Sequence, residues 1–179
     1  MKLTENAEAF HYYVPPYNSL TSEAKLMRKA KLKKIVIIVL ALFFVSYLLC
    51  LIYCTASVFK MHTLNYNSSG WGVVLAEYKL DFDNELIEAN YYDFDGILKT
   101  HRENTLSAEQ QRKVRLACAI SLMPIWKSRY YDPNVMDGDQ WELTVTYDEK
   151  EKRTYGSNAY PLLYRFAYDA IRSVIDTTE

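Results

Sequence analysis

Three pairs of aspartates, each separated by one residue, are the pattern in this chain that most suggests chemistry. The pairs are Asp81/Asp83, Asp93/Asp95 and Asp137/Asp139. Carboxylates two residues apart on a loop belong to the ligand set of Ca²⁺, but none of these pairs is followed by the remaining ligands of a calcium loop. All three coincide with predicted turns, so we interpret them as hairpin ends in preference to calcium sites. We expect no metal and no cofactor.

The histidines and the isolated cysteine do not form a catalytic pattern. His11, His62 and His101 are spread along the chain, which argues against a clustered metal triad. Cys118 falls on the predicted inner stripe of a helix, so we interpret it as a core residue rather than a nucleophile. The sequence contains neither a glycine-rich phosphate loop nor a hydrolase serine motif.

One carboxylate pair keeps an enzymatic interpretation open. Asp137 and Glu142 lie close in sequence, and two carboxylates can divide acid and base roles between them. A catalytic pair would have to converge in a concave pocket, whereas structural carboxylates would be spread along turns. We favour a non-catalytic protein with no catalytic residues, and a small envelope enzyme is the alternative.

The element that positions the rest of the chain is an uncharged run of 25 residues, Ile35–Phe59. At about 1.5 Å per residue a helix of this length reaches about 37 Å, against a bilayer hydrocarbon core of about 30 Å. The run has no polar face, so it predicts a transmembrane helix. Cys50 and Cys54, one turn apart within it, are interpreted as packing residues. The 34 residues before the run are long for a signal peptide, which favours an uncleaved anchor over cleavage near Ala56.

Basic residues stand mainly on the N-terminal side of this run. They are Lys25, Arg28, Lys29, Lys31, Lys33 and Lys34. Because basic residues are retained in the cytoplasm, the N-terminus is predicted to be cytoplasmic, and the same cluster would attract anionic lipid headgroups. The predicted organisation is a cytoplasmic tail over 1–34, a single transmembrane helix over 35–59, a linker over 60–70 and an extracytoplasmic domain over 71–179.

The part after the membrane segment is mildly acidic. Residues 60–179 carry 14 basic and 19 acidic side chains, a net charge of −5, which argues against a nucleic acid partner. With Cys118 as its single cysteine, this part cannot form an internal disulfide, and a disulfide-free exported domain is more typical of a bacterial protein. Asn67-Ser68-Ser69 would be a glycosylation acceptor in a eukaryotic secretory pathway.

Turn and alternation patterns predict an α+β fold, an antiparallel sheet of about five strands packed by two helices. The strands are expected over Val73–Phe82, Leu86–Phe94, Ile97–Arg102, Trp141–Tyr147 and through Arg153–Tyr155. Ser107 and Gln110 have the capping-box spacing at the start of the first helix, and Pro124 is expected to end it or nearly so. Its exposed side would carry Arg112, Lys113 and Arg115.

The second helix is expected to open at Tyr160-Pro161, because proline suits the first turn of a helix. Ser157-Asn158, just before it, is interpreted as a capping pair. A stripe at helical spacing would then lie on the sheet. It consists of Leu163, Phe166, Ala167, Ala170, Ile171 and Val174.

Two motifs in the last third carry a resemblance to known proteins. The first is Asp137-Gly138-x-x-Trp141 with Leu143, Val145 and Tyr147, and the second is Gly156-Ser157-Asn158-Ala159-Tyr160-Pro161. Over about Trp71 to Ile175 the chain resembles a small domain of exported lipoproteins and membrane-anchored proteins of Gram-positive gut bacteria. The resemblance implies an extracytoplasmic location and this fold, and it implies no activity. The chain departs from it by having an apolar helix in place of a lipidated cysteine and a compact Asp148–Lys152 turn in place of a glycine-containing hairpin.

These observations favour a single-pass cell-membrane protein whose outer domain binds a partner. The expected partners are the lipid bilayer and a protein of the cell envelope. The domain would be a component of an envelope complex or a membrane-tethered immunity protein, with the exposed face of its sheet as the contact surface.

Overall fold

The long N-terminal helix is the first element of the structure. The structure is a computed structural model that describes residues 22–135, 138–148 and 150–176. The chain divides into two compact units, Met1–Val45 and Ser46–Glu179. Helix α1, Ser22–Val58, begins in the first unit and ends in the second. Most of the predicted cytoplasmic tail lies outside the described residues.

Helix α1 is long and apolar enough to cross a membrane. Its candidate span is Leu26–Val58, and none of the residues in its most apolar 18-residue window is buried. A soluble core helix of this composition would bury its apolar side chains. By length and composition α1 is therefore a candidate membrane span.

The second unit contains one seven-stranded sheet. Its strands, in chain order, are β1 Met61–Gly70, β2 Val73–Asp81, β3 Leu86–Tyr92, β4 Leu98–Thr105, β5 Arg129–Tyr131, β6 Asp139–Tyr147 and β7 Lys150–Ser157. Their order across the sheet is β4-β3-β2-β1-β6-β7-β5. Every neighbouring pair is antiparallel except β5 and β7, which are parallel. The α+β class is confirmed, but the prediction of about five strands in a purely antiparallel sheet is wrong.

The predicted linker over 60–70 is also wrong, because Met61–Gly70 forms β1 at the centre of the sheet, between β2 and β6. Its sequence, MHTLNYNSSG, is dominated by asparagine, serine and glycine, which are common in turns. Within it, however, Met61, Leu64 and Tyr66 are buried. These three side chains attach β1 to the core, and its polar residues are left for the other face of the sheet.

Helices α2, Ala108–Ile120, and α3, Tyr164–Asp176, pack on one face of the sheet. The capping box of Ser107 and Gln110 is confirmed. Helix α2 ends before Pro124, which lies in a short 3-10 helix, Met123–Ile125. Helix α3 begins at Tyr164 rather than at Tyr160, and its buried residues are Ala167, Ala170, Ile171, Val174 and Ile175.

Leu163 and Phe166 are not part of that buried stripe. They are 42% and 50% exposed, so their predicted place in the core is wrong. Leu163 has a φ of 61° and precedes the first helical residue. The stripe was therefore predicted correctly from Ala167 onward, where the helix is established.

The end of α1 belongs to the core of the second unit. Cys54 and Val58 are 0% and 1% exposed, and only Phe59 and Lys60 separate α1 from β1. Arg115 of α2 donates hydrogen bonds to the carbonyls of Val58 and Met61. The prediction that Arg115 lies on the exposed side of α2 is therefore wrong, because its guanidinium binds the Val58 carbonyl, which the end of α1 leaves unpaired, and the carbonyl of the first residue of β1.

Candidate functional site

The two sequence motifs meet around the indole of Trp141. Trp141 on β6 pairs with Gly156 on β7, and its side chain is 2% exposed. A Cβ at Gly156 would lie far inside van der Waals contact with the Trp141 ring, so glycine is required there. The Trp141 indole Nε1 donates to the Ala159 carbonyl at 3.1 Å. The two motifs thus form one packed structural unit.

Gly138 and Asn158 make the second contact between the motifs. A Cβ at Gly138 would overlap the side-chain amide of Asn158. Asn158 has a φ of 53°, and its backbone N–H donates to the Asp139 carbonyl at 2.9 Å. Ser157 ends β7, so the interpretation of Ser157-Asn158 as a helix cap is wrong. Asp137 lies outside the described residues.

Aromatic rings extend this unit toward the surface. Tyr160 stacks on Trp141 with centroids 6.2 Å apart and planes 9° from parallel. Tyr164 lies 4.6 Å from Trp141, and its hydroxyl is 2.8 Å from that of Tyr66. Burial raises the pKa of Tyr66 and of Tyr164, so both hydroxyls stay protonated. Pro161 is buried beside them.

A cleft of about 770 Å³ opens beside these rings. Tyr160 at its edge is 46% exposed and Leu162 is 84% exposed, whereas Trp141 is inaccessible. Of the motif residues, Trp141, Tyr160 and Pro161 line the cleft. The residues available to a ligand or partner are the exposed ones around its edge.

The face of the sheet opposite the helices is polar. Register places one row of side chains across six neighbouring strands: Tyr155, Glu142, Asn67, Glu77, Asn90 and His101. The adjacent row consists of Arg153, Thr144, Asn65, Lys79, Glu88 and Glu103. We call these two rows the polar face. None of its side chains belongs to the hydrophobic core.

Ion pairs and one unpaired group characterise the polar face. Lys79 lies 2.7 Å from Glu88, and Arg153 lies 2.5 Å from Glu142. Among the described residues, the buried Asn65 Oδ1 has no hydrogen-bond partner. Glu142, one member of the carboxylate pair considered for catalysis, therefore forms an ion pair with Arg153. Asp137, the other member of that pair, lies outside the described residues.

His62 joins two turns at the other end of β1. Its Nδ1 lies 2.7 Å from Asp83 Oδ2, and its Nε2 lies 3.2 Å from Asp148 Oδ1. These hydrogen bonds, first to Asp83 and then to Asp148, raise the pKa of His62. Sequence reasoning placed His62 in a linker and missed this bridge, because the partner aspartates follow 21 and 86 residues later.

Two of the three aspartate pairs, Asp81/Asp83 and Asp93/Asp95, lie wholly within the described residues. Within the described residues, no group of three or more His, Cys, Asp or Glu side chains could hold a metal ion. Asp81 Oδ1 accepts from the backbone N–H of Asn84, and Asp93 Oδ1 accepts from that of Ile97, so both pairs serve in turns as predicted. Burial raises the pKa of Cys118 to about 12, as expected of a core thiol.

The basic residues before the apolar run lie along α1. Arg28, Lys29, Lys31, Lys33 and Lys34 are exposed. Lys25 lies in the first turns of α1, where its backbone is helical.

Comparison with known proteins adds no further assignment. No model of a known protein family matches the chain, and no curated protein is significantly similar to it in sequence.

Proposed function

We propose that this chain is a single-pass membrane protein whose C-terminal α+β unit is a non-catalytic binding module on the outer face of the cell membrane. The observation that carries the proposal is α1, whose most apolar window is wholly unburied while its last turns belong to the core of the following unit. An apolar helix with no protein cover is stable in a bilayer. A module attached without a free linker is then held at the membrane surface.

The basic residues of α1 support a cytoplasmic N-terminus. Five exposed lysines and arginines, between Arg28 and Lys34, precede the apolar run, whereas Lys60 alone follows it closely. Retention of basic residues in the cytoplasm would then place the sheet outside. The resemblance to exported domains of Gram-positive bacteria favours the same orientation.

The polar face is the surface that best suits a protein partner. It carries charges of both signs, including Lys79, Glu88, Glu142 and Arg153. Interfaces of this kind use complementary charges to select a partner and fix its orientation. A component of an envelope complex or a membrane-tethered immunity protein would use such a surface.

Orientation is tested by cysteines introduced on either side of α1. Thr100→Cys places a thiol on β4 in an exposed position, and Lys29→Cys places one before the apolar run. In intact cells a membrane-impermeant maleimide should label Thr100→Cys and spare Lys29→Cys, with the unsubstituted chain as the background. The opposite labelling pattern, or equal labelling of both, would contradict the proposed topology.

The contact surface is tested by photocrosslinking in the native membrane. A benzophenone amino acid at Asn90, on the polar face, should give a discrete adduct with one protein. The same group at Arg165, an exposed residue of α3, is the matched control. An adduct at Arg165 alone would move the contact surface to the helical side. Absence of adducts at both positions, together with bound sugar or metal in the purified protein, would favour the enzymatic alternative.

A further inference from the structure

A groove lies between the last turn of α1 and one side of α2. Its volume is about 440 Å³, and its walls include Val58 and Phe59 from the end of α1 and Leu116 and Ala119 from α2. The α2 residues are three apart, so they follow one side of the helix. The groove is thus an apolar channel between two helices.

Two large apolar side chains of the groove face outward. Phe59 is 71% exposed and Leu116 is 57% exposed. Phe59 is the last residue of the apolar run and directly follows α1, so this surface continues the one that α1 offers to lipid. Large apolar side chains exposed together next to a membrane helix mark a site of contact with lipid or with another apolar surface.

The adjoining surface of α2 is basic in an otherwise acidic unit. Arg112 lines the groove, and Lys113 follows it on the exposed side of the helix. Neither forms an ion pair with another described residue, whereas residues 60–179 as a whole have a net charge of −5. Two unpaired cations beside an apolar channel are complementary to a lipid with a negative headgroup.

The groove also lies at the correct depth for a lipid headgroup. The segment from Ile35 to Tyr53 would extend about 28 Å at 1.5 Å per residue, close to the hydrocarbon thickness of about 30 Å. Val58 and Phe59 would then follow at the level of the headgroups. This step rests on the proposed function, in which α1 spans the membrane.

We propose that the groove between α1 and α2 binds an anionic phospholipid, with an acyl chain against Phe59 and Leu116 and the phosphate beside Arg112 and Lys113. Helix α2 then lies at the membrane interface. The lipid restricts the orientation of the polar face relative to the bilayer, which a tether alone would not do.

The test uses the full chain in vesicles that contain brominated lipids. An environment-sensitive fluorophore is attached at Leu116→Cys, and the control position is Leu162→Cys, which is 84% exposed near the opposite end of β1. A third probe at Phe43→Cys, in the candidate span, reports whether α1 lies in the bilayer. Signal from the unsubstituted chain, with its native cysteines, is subtracted.

We expect quenching at Leu116 and none at Leu162, and stronger quenching at Leu116 when phosphatidylglycerol is added to phosphatidylcholine. Arg112→Gln/Lys113→Gln should weaken the phosphatidylglycerol response by about fivefold for each charge removed. Lys127→Gln/Arg129→Gln, which removes two exposed cations before and within β5, should leave the response unchanged. Inorganic phosphate added to the same vesicles should not compete, because it lacks an acyl chain.

The two proposals fail in distinguishable ways. A Phe43 probe that is not quenched would contradict the membrane span and hence the proposed function. A quenched Phe43 probe with a water-exposed Leu116 probe would overturn the lipid site alone. Competition by inorganic phosphate, or a phosphatidylglycerol response that survives Arg112→Gln/Lys113→Gln, would also overturn it.

Discussion

Arg115 of α2 donates a hydrogen bond from Nη2 to the carbonyl of Met61 at 2.9 Å, across the junction between α1 and β1. A second hydrogen bond from Nη1 reaches the carbonyl of Val58, and the guanidinium carbon lies 4.3 Å from the centroid of the Phe82 ring. One side chain therefore connects the end of α1, the start of β1 and the turn after β2.

Replacing Arg115 by alanine should destabilise the second unit by about 2 kcal/mol. The substitution leaves two carbonyls without a charged donor and removes a cation–π contact. Thermal unfolding of the full chain in detergent measures the effect. Arg165→Ala, an exposed arginine of α3, should change the unfolding temperature little. Equal effects of the two substitutions would argue against the role assigned to Arg115.

Gly156→Ala should be among the most damaging small substitutions, with a cost of about 3 kcal/mol. The new methyl group would overlap the Trp141 indole, which is buried and cannot move aside without disturbing its neighbours. Near-UV circular dichroism during thermal unfolding provides the measurement. At Gly72, by contrast, a Cβ meets open space and only the positive φ of 79° is unfavourable, which predicts a cost of about 1 kcal/mol. A Gly156→Ala protein as stable as the Gly72→Ala protein would contradict the packing described here.

Trp71→Asn should stabilise the fold by about 1 kcal/mol. Trp71 is 73% exposed and has a φ of 54° in the two-residue turn between β1 and β2. Asparagine tolerates that left-handed conformation better than tryptophan does. An increase in the unfolding temperature is expected. A decrease would show that the exposed ring makes a stabilising contact.

The stability of the second unit should fall as pH rises through the folded pKa of His62. Hydrogen bonds to Asp83 and Asp148 raise that pKa above the unfolded value of about 6.5. A raised pKa means that the protonated imidazole contributes its full stabilisation below the unfolded pKa and loses it above the folded pKa. Unfolding temperatures compared at mildly acidic and mildly alkaline pH should therefore differ less in His62→Gln than in the parent protein. His101→Gln is the control and should retain the parent difference.

Patterns confined to a short stretch were predicted well from the sequence. The capping box of Ser107 and Gln110 spans three residues, and β2 and β6 have apolar residues on one face. Such features depend on neighbours along the chain, so their residues carry the signal. Gly156 and Trp141 were identified as motif residues. The sequence did not reveal that Gly156 leaves the space that the Trp141 indole occupies.

Features that depend on distant residues were missed. The polar residues of β1 indicate a turn, and only its pairing with β2 and β6 identifies it as a strand. Strand β5 has only three residues and pairs in parallel with β7, which follows it by about 20 residues in the chain. The exposed position expected for Arg115 followed from helical spacing within α2 alone. Its real neighbours belong to α1 and β1, more than 50 residues earlier.

The burial of Cys54 and Val58 has a mechanical consequence. Because these side chains of α1 are part of the core that β1 enters after only two intervening residues, a rotation of the last turn of the helix about its axis must turn the central strand with it. The junction therefore behaves as a stiff coupling rather than a swivel. A shortened chain that starts at Met61 would lack both core residues, so secretion of the sheet by itself should give a loosened protein.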